Sequence, residues 1–240
     1  MSLNIRITKE IIRSALNICK NPLICFSGGK DSTLMLYYVW ETCKELKREV
    51  PLVLVGDPFP IPENLEFCKY VLTKFGITNF IFMERFVDDE GLKVYVEERK
   101  DVELCCRVNK INLLNKIIER FNIDCVFVAI RWDEHPARST ETYFKLIEKP
   151  RHIRVHPILH WSWLDVLRFY LEHKDLLNPL YLKGYTSLGC KPCTKPTINK
   201  QFNSVEEYIQ YILEHEVKER AGRIQDKEQI MEKLRAIGYF

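Results

Sequence analysis

Short apolar runs alternate along the chain with longer stretches in which apolar residues recur every three to four positions. The runs fall at 23–27, 51–56, 80–83, 125–130 and 153–159, and Cys125-Val126-Phe127-Val128-Ala129-Ile130 is typical of them. Their length and their β-branched and aromatic content predict buried strands, and the periodic stretches between them predict amphipathic helices. Strands that alternate with helices pair in parallel, because a parallel pair needs a long connection and the helix supplies it with right-handed crossover. The pattern predicts an α/β, doubly wound, mostly parallel sheet. Ligands of such sheets bind beyond the carboxyl ends of the strands, which places any chemistry on the loops after 27, 56 and 130.

The pattern changes near residue 176. Leu177-Asn178-Pro179 opens an irregular Gly-, Pro- and Cys-containing segment that runs to Pro196, and two polar helices follow at roughly 204–216 and 226–237. The expected organisation is one α/β domain over 1–175 and an extension over 176–240 that packs on the same domain.

Composition narrows the reading. A chain of 240 residues, 46% of them hydrophobic, can bury one sizeable core. Its 36 basic and 33 acidic residues leave a net charge of +3, too balanced for a nucleic-acid or membrane surface, so anion binding must be local. The amino terminus shows no signal-peptide core and no apolar run reaches membrane-spanning length, which predicts a cytoplasmic protein. Nine cysteines without an export signal favour metal ligation or redox chemistry over a disulfide framework.

The densest chemistry follows the first strand. Ser27-Gly28-Gly29-Lys30-Asp31-Ser32 joins Leu23-Ile24-Cys25-Phe26 to an amphipathic stretch. Two glycines let backbone approach an anion, a helix start supplies N–H groups and dipole, and Lys30 adds a charge. The plain alternative is a polar turn with an incidental lysine. A Walker A loop is excluded, since Ile24 stands where its first glycine would be. Cys105 and Cys106 are adjacent, and Cys190-Lys191-Pro192-Cys193 follows more than eighty residues later. Spacing leaves a 4Fe-4S cluster, structural zinc and unliganded thiols all open, because adjacent cysteines strain to reach two irons of one cube.

The strand followed by Ser27 to Ser32 resembles the PP-loop of the N-type ATP pyrophosphatases, which include ATP sulfurylase small subunits, sulfonucleotide (APS/PAPS) reductases and tRNA-thiolating enzymes. Cys105-Cys106-Arg107-Val108-Asn109-Lys110 and Gly184-Tyr185-Thr186-Ser187-Leu188-Gly189-Cys190-Lys191-Pro192-Cys193-Thr194 are similar to two segments of APS reductases. That resemblance implies an adenine nucleotide alpha hydrolase-like fold. It also implies a 4Fe-4S cluster on Cys105, Cys106, Cys190 and Cys193, with Lys110 beside both cluster and nucleotide. Asn109 departs from the arginine common there. Arg131-Trp132-Asp133-Glu134-His135-Pro136-Ala137-Arg138 resembles a segment shared by the reductases and the ATP sulfurylase subunits, and implies that Arg131 and Arg138 hold the anion. A solvated charged loop is the alternative. Glu219-Arg220-Ala221-Gly222-Arg223 resembles the family's sulfate- or phosphate-contacting segment and adds Arg220 and Arg223. The last stretch, Lys227 to Phe240 with its terminal Gly-Tyr-Phe, is more similar to the ATP sulfurylase small subunit.

Two departures limit the resemblance. The reductases' nucleophilic cysteine lies in a carboxyl-terminal segment, and here no cysteine follows Cys193. Cys19, Cys25, Cys43, Cys68 and Cys125 all read as buried hydrophobes. After the second strand, Gly56-Asp57-Pro58 has glycine where the family has an acidic residue. Val155 to Val166 resembles a further shared segment, but Ser162 and Asp165 read as a helix cap and His156 and His160 as packing residues. The leading expectation is a sulfonucleotide reductase-like enzyme that acts on adenosine phosphosulfate with a thiol or redox donor protein. The runners-up are an ATP sulfurylase small subunit using ATP, Mg²⁺ and a larger partner subunit, a cluster-bearing sulfurtransferase, and a redox sensor. A homo-oligomer is compatible with each.

Overall fold

The structure, a computed structural model, describes residues 2–97, 101–223, 229–236 and 238. Among these residues six strands form one sheet in the order β3-β2-β1-β4-β6-β5. β1 (Pro22–Phe26) is central, with β2 (Leu52–Val55) and β3 (Phe80–Phe82) to one side and β4 (Cys125–Phe127) to the other. β6 (Arg151–Val155) continues the parallel set next to β4, and β5 (Phe144–Glu148) closes the edge antiparallel to β6.

The register shows why the apolar runs are strands. Ile24 pairs with Val53 and with Phe127, and all three side chains enter the core on one face. Leu23, Leu54 and Val126 alternate with them and enter the core on the other. Burial on both faces explains the continuous rather than alternating hydrophobicity. One face is covered by α1 (Leu3–Ile18), α2 (Lys30–Glu45), α3 (Pro62–Phe75) and α7 (Trp163–Glu172). The other is covered by α6 (Leu113–Arg120), whose Leu113, Leu114, Ile117 and Ile118 recur at helical spacing.

The strands differ from expectation in three places. The run at 153–159 becomes a strand that starts at Arg151 and ends at Val155, because Pro157 cannot donate to the ladder and the chain turns through His160. β5 is not visible as a buried run: it is an edge strand whose Phe144 and Leu146 stay exposed, so its apolar residues do not form a core signal. The run at 125–130 is shorter as a strand, Cys125–Phe127.

Before the site, α4 (Asp89–Glu97) and α5 (Val102–Cys106) lead through a widened helical turn, Arg107–Asn112, into α6. Widened turns of this kind re-aim side chains, and this one carries Lys110. After α7 come α8 (Pro179–Leu182), then the irregular segment that carries Cys190 and Cys193, and then α9 (Val205–Glu214). Phe202, Val205, Tyr208, Ile209 and Ile212 join the core cluster that holds Ile24 and Met35, so the carboxyl-terminal part shares that core. Of the expected helix at 226–237, Met231–Ala236 is helical and 226–228 and 237 lie outside the described residues. No described helix is long and apolar enough to cross a membrane.

Candidate functional site

The strand order reverses between β1 and β4, and there the loops after both strands splay apart to leave a cleft. It encloses about 1000 Å³ including its open mouth, the size of a nucleotide site. Leu54, Met83, Val128 and Ile130 form an apolar wall suited to a base. Ser27, Gly29, Lys30, Asp31 and Ser32 form the floor, and Lys110, Arg138, Arg220 and Arg223 reach it from other elements.

The loop is held open by side chains around it. Gly28 takes φ of +73°, and a Cβ there would lie 2.3 Å from Asn64 Oδ1 and 2.6 Å from Cys68 Sγ. The close packing comes from Asn64 on α3, whose Nδ2 donates to Ser27 O at 2.9 Å, and from Asn178, whose Nδ2 donates to Gly28 O at 3.1 Å and to Asn64 Oδ1 at 2.7 Å. Gly29 caps α2, and its carbonyl accepts from the Ser32 and Thr33 hydroxyls at 2.9 and 3.0 Å. The Lys30 amide donates to the Tyr181 hydroxyl at 3.0 Å, while the Tyr170 hydroxyl donates to Lys30 O. The helix dipole of α2 therefore points into the cleft from a fixed start.

The cations are paired with carboxylates. Lys30 Nζ bonds Asp31 Oδ2 at 2.8 Å and also Glu219. Arg131, at 0% exposure, lies behind the loop: Nε donates to Asp31 at 2.8 Å, Nη1 to Asp133 at 2.8 Å, and Nη2 to the two oxygens of Glu219 at 2.5 and 2.6 Å. Glu134 accepts from Arg138 and, at 2.6 Å, from Arg220. Burial works to lower the Lys30 pKa, but Asp31 and Glu219 outweigh it and hold Lys30 above its ordinary value. Burial likewise works against the Glu134 charge, and Arg138 and Arg220 overcome it, leaving that carboxyl far below its usual range. Arg223 differs: Nε and Nη1 donate to the Ser187 and Thr194 hydroxyls at 2.8 and 3.2 Å, and Nη2 donates to the Leu188 carbonyl.

Lys110 pairs with buried Asp57 in the loop after β2. Cys190 Sγ lies 3.6 Å from the same Asp57 oxygen. Lys110 stands four residues after Cys106, so Asp57 joins the two cysteine-bearing segments, and the residues just before Cys190, namely Ser187, Leu188 and Gly189, wall the cleft. Cys105 lies 3.8 Å from Asn109 Nδ2, and Cys106 is buried against Val102 and Leu234. Four thiols are the right donor chemistry for an iron–sulfur cluster. Their placement is not that of an assembled ligand set: among the described residues no three His, Cys, Asp or Glu side chains are grouped to hold a metal ion.

His156 is 1% exposed with Nδ1 donating to Thr142 O at 2.7 Å, and His160 bonds Asn4 O at 3.0 Å, so both are packing residues. Ser162 and Asp165 form a reciprocal cap on α7. Several residues of the site escaped the motifs. Asp57 is visible only as a substitution next to Gly56, and Glu219 only as the neighbour of Arg220. Asn64, Tyr170 and Tyr181 carry no sequence signal. Asn178, which in the sequence only opens the irregular segment, caps α8, and its side chain also reaches Gly28.

Residues 21–196 match the phosphoadenosine phosphosulfate reductase domain. Sulfate adenylyltransferase subunit 2 of Trichlorobacter lovleyi is 24% identical along an alignment covering 96% of this chain and 95% of that one. Adenosine 5'-phosphosulfate reductase of Lysinibacillus sphaericus is 26% identical over 63% of this chain and 66% of its own. Among solved structures, phosphoadenylyl-sulfate reductase from Candida auris superposes with a TM-score of 0.61 at 13% identity, covering 78% of this chain and 90% of that one. Yeast FAD synthetase gives 0.65 at 18%, covering 92% and 89%, and the U34-tRNA thiolase of Methanococcus maripaludis, solved with its [4Fe-4S] cluster, gives 0.53 at 15%, covering 99% and 80%. These structural likenesses describe the fold. The matched segment supplies every cleft residue except Arg220 and Arg223, and on that match the chain belongs to the phosphoadenosine phosphosulfate reductase domain family.

Proposed function

We propose that this protein is an enzyme of sulfur metabolism that reduces an adenylylated sulfate bound in the cleft, with the attacking thiol supplied in trans. The observation that carries the reading is the junction at Asp57, which ties Cys190 and Lys110 to a cleft walled by the residues before Cys190. A generic ATP site has no need of that junction. Family membership and the similarity to an adenosine 5'-phosphosulfate reductase support it.

In this reading the base lies on Leu54, Met83, Val128 and Ile130, and the amino end of α2 with Lys30 takes the α-phosphate. Arg223, Arg220 and Arg138 surround the sulfate end. A thiolate attacks sulfur, an S–S bond forms, and the S–O bond to phosphate breaks with its electron pair leaving on AMP. A second thiolate then attacks the thiol-derived sulfur of the resulting S-sulfonate (R–S–SO3−), forming a disulfide and releasing sulfite. Lys30 is placed to neutralise charge that builds on the departing phosphate. Cys25 lines the cleft, but burial pushes its thiol up to about 12, so it stays protonated and is a poor nucleophile. An external dithiol is therefore the donor in this scheme.

Cys105, Cys106, Cys190 and Cys193 are the proposed ligands of a 4Fe-4S cluster, which, held by four thiolates, would carry net negative charge that the Lys110 ammonium would help to offset.

A second reading, sulfate adenylyl transfer from Mg²⁺-ATP, draws on the alignment that spans 96% of the chain to sulfate adenylyltransferase subunit 2. One pair of assays separates the two. With adenosine phosphosulfate and a reduced dithiol, AMP and sulfite should appear in equal amounts. Pyrophosphate released from ATP in the presence of sulfate, with no sulfite in the first assay, would replace the reductase reading by the transferase one.

A further inference from the structure

Glu219 lies between α9 and the bridge that pairs Thr194 with Arg223. Its side chain is 9% exposed and contacts the Lys30 ammonium, and both its carboxylate oxygens accept from Arg131 Nη2, at 2.5 and 2.6 Å. An ammonium and a guanidinium converging on one carboxylate is the donor set that the same groups offer a phosphate or sulfate oxygen. Lys30 lines the cleft and Glu219 stands behind it.

The charge balance makes this contact consequential. Lys30, Arg131, Arg138 and Arg220 face Asp31, Asp133, Glu134 and Glu219, so four positive charges meet four negative ones. Asp31 belongs to the first turn of α2, Asp133 is fixed by the Trp163 amide at 2.7 Å, and Glu134 is clasped by two arginines. Glu219 is carried by an irregular stretch and can withdraw without breaking a helix or strand. Burial pushes its carboxyl above the ordinary range, against Lys30 and Arg131, so its charge is held less securely than that of Glu134.

We propose that Glu219 is an internal counter-ion that competes with the bound substrate anion for Lys30, and so sets the affinity of the site. This rests on the reading that the cleft holds the anionic end of a nucleotide. When the anion arrives, Lys30 turns from Glu219 to it, and Arg131 keeps Asp31 and Asp133. Attraction for an incoming anion is thereby smaller than the number of cations around the cleft suggests.

The test is calorimetric titration of the full chain with inorganic pyrophosphate, and separately with ATP, in Mg²⁺-free buffer. Glu219→Gln keeps the shape and removes the charge, and it should bind pyrophosphate at least tenfold more tightly than the natural protein, about 1.4 kcal/mol. Glu219→Asp withdraws the charge by one methylene and should fall between the two; it carries the test if the glutamine variant does not fold. Unchanged or weaker affinity in variants that still melt cooperatively overturns the proposal and leaves the nucleotide reading intact. If the natural protein and both variants bind neither probe, the anion reading of the cleft falls as well.

Discussion

Gly28 shows how far a single residue can govern this site. Its left-handed φ is open to glycine at no steric cost, and the space a Cβ would occupy is already filled by Asn64 and Cys68. Asn64 cannot yield, because its carboxamide is bonded to Ser27 on one side and Asn178 on the other. Gly28→Ala should therefore lower stability by about 2–3 kcal/mol in urea unfolding and weaken nucleotide binding in the folded fraction. Arg223 is the second governing residue. It bridges Ser187, Leu188 and Thr194, and Gly189 leaves it room, since a Cβ there would lie 1.9 Å from Nη1. These partners are neutral, and if Arg223 holds the anion as proposed, Arg223→Ala should weaken pyrophosphate binding about tenfold or more. Arg223→Lys should restore only part of that, because an ammonium lacks the planar fork.

At the scale of elements, the site depends on how helices begin and strands end. α2 starts at Gly29, α7 at a reciprocal Ser162–Asp165 cap and α8 at Asn178, and each start positions a residue of the cleft or of its support. His156 follows β6 at the end of the parallel set, with its ring held by the Thr142 carbonyl near the β5 edge. Burial pushes it down to about 4 from an ordinary value near 6.5. The unfolded chain thus takes up a proton between pH 6.5 and 4 that the folded chain refuses, so stability falls as pH drops through that window. The loss should reach about 2 kcal/mol by pH 5. His152 and His160 are shifted in the same direction by burial and add to the slope. Urea midpoints measured from pH 7 to 5 should fall, and His156→Gln should show a shallower fall; an equal slope in the variant would remove His156 as the source.

Across the whole molecule, the sheet brings together residues separated by up to two hundred positions. Lys30 and Glu219 meet across the floor, and Asp57, Lys110 and Cys190 meet at one wall. The proposed cluster belongs to this scale, since its ligands come from α5 and from the segment before α9. Anaerobic purification should give about four irons and four sulfides per chain. Cys106→Ser and Cys190→Ser should each abolish the bound iron, and Cys43→Ser, deep in the core, should not. Stoichiometric zinc without sulfide would refute the cluster.

The sequence by itself determined the five parallel strands of a mostly parallel sheet and the glycine-containing loop after the first of them. Those features are local: a strand buried on both faces must be apolar throughout, and a loop that lets backbone meet an anion needs glycine. It also marked Arg131, Arg138, Arg220 and Arg223 as a set. Only the tertiary structure decided what each one faces. Arg131 lies buried among Asp31, Asp133 and Glu219, whereas Arg223 meets hydroxyls and a carbonyl. An edge strand with exposed apolar residues left no core signal in the sequence, and a carboxylate 189 positions from its lysine left no spacing. Pairing of charges is a property of space, and the chain order does not carry it.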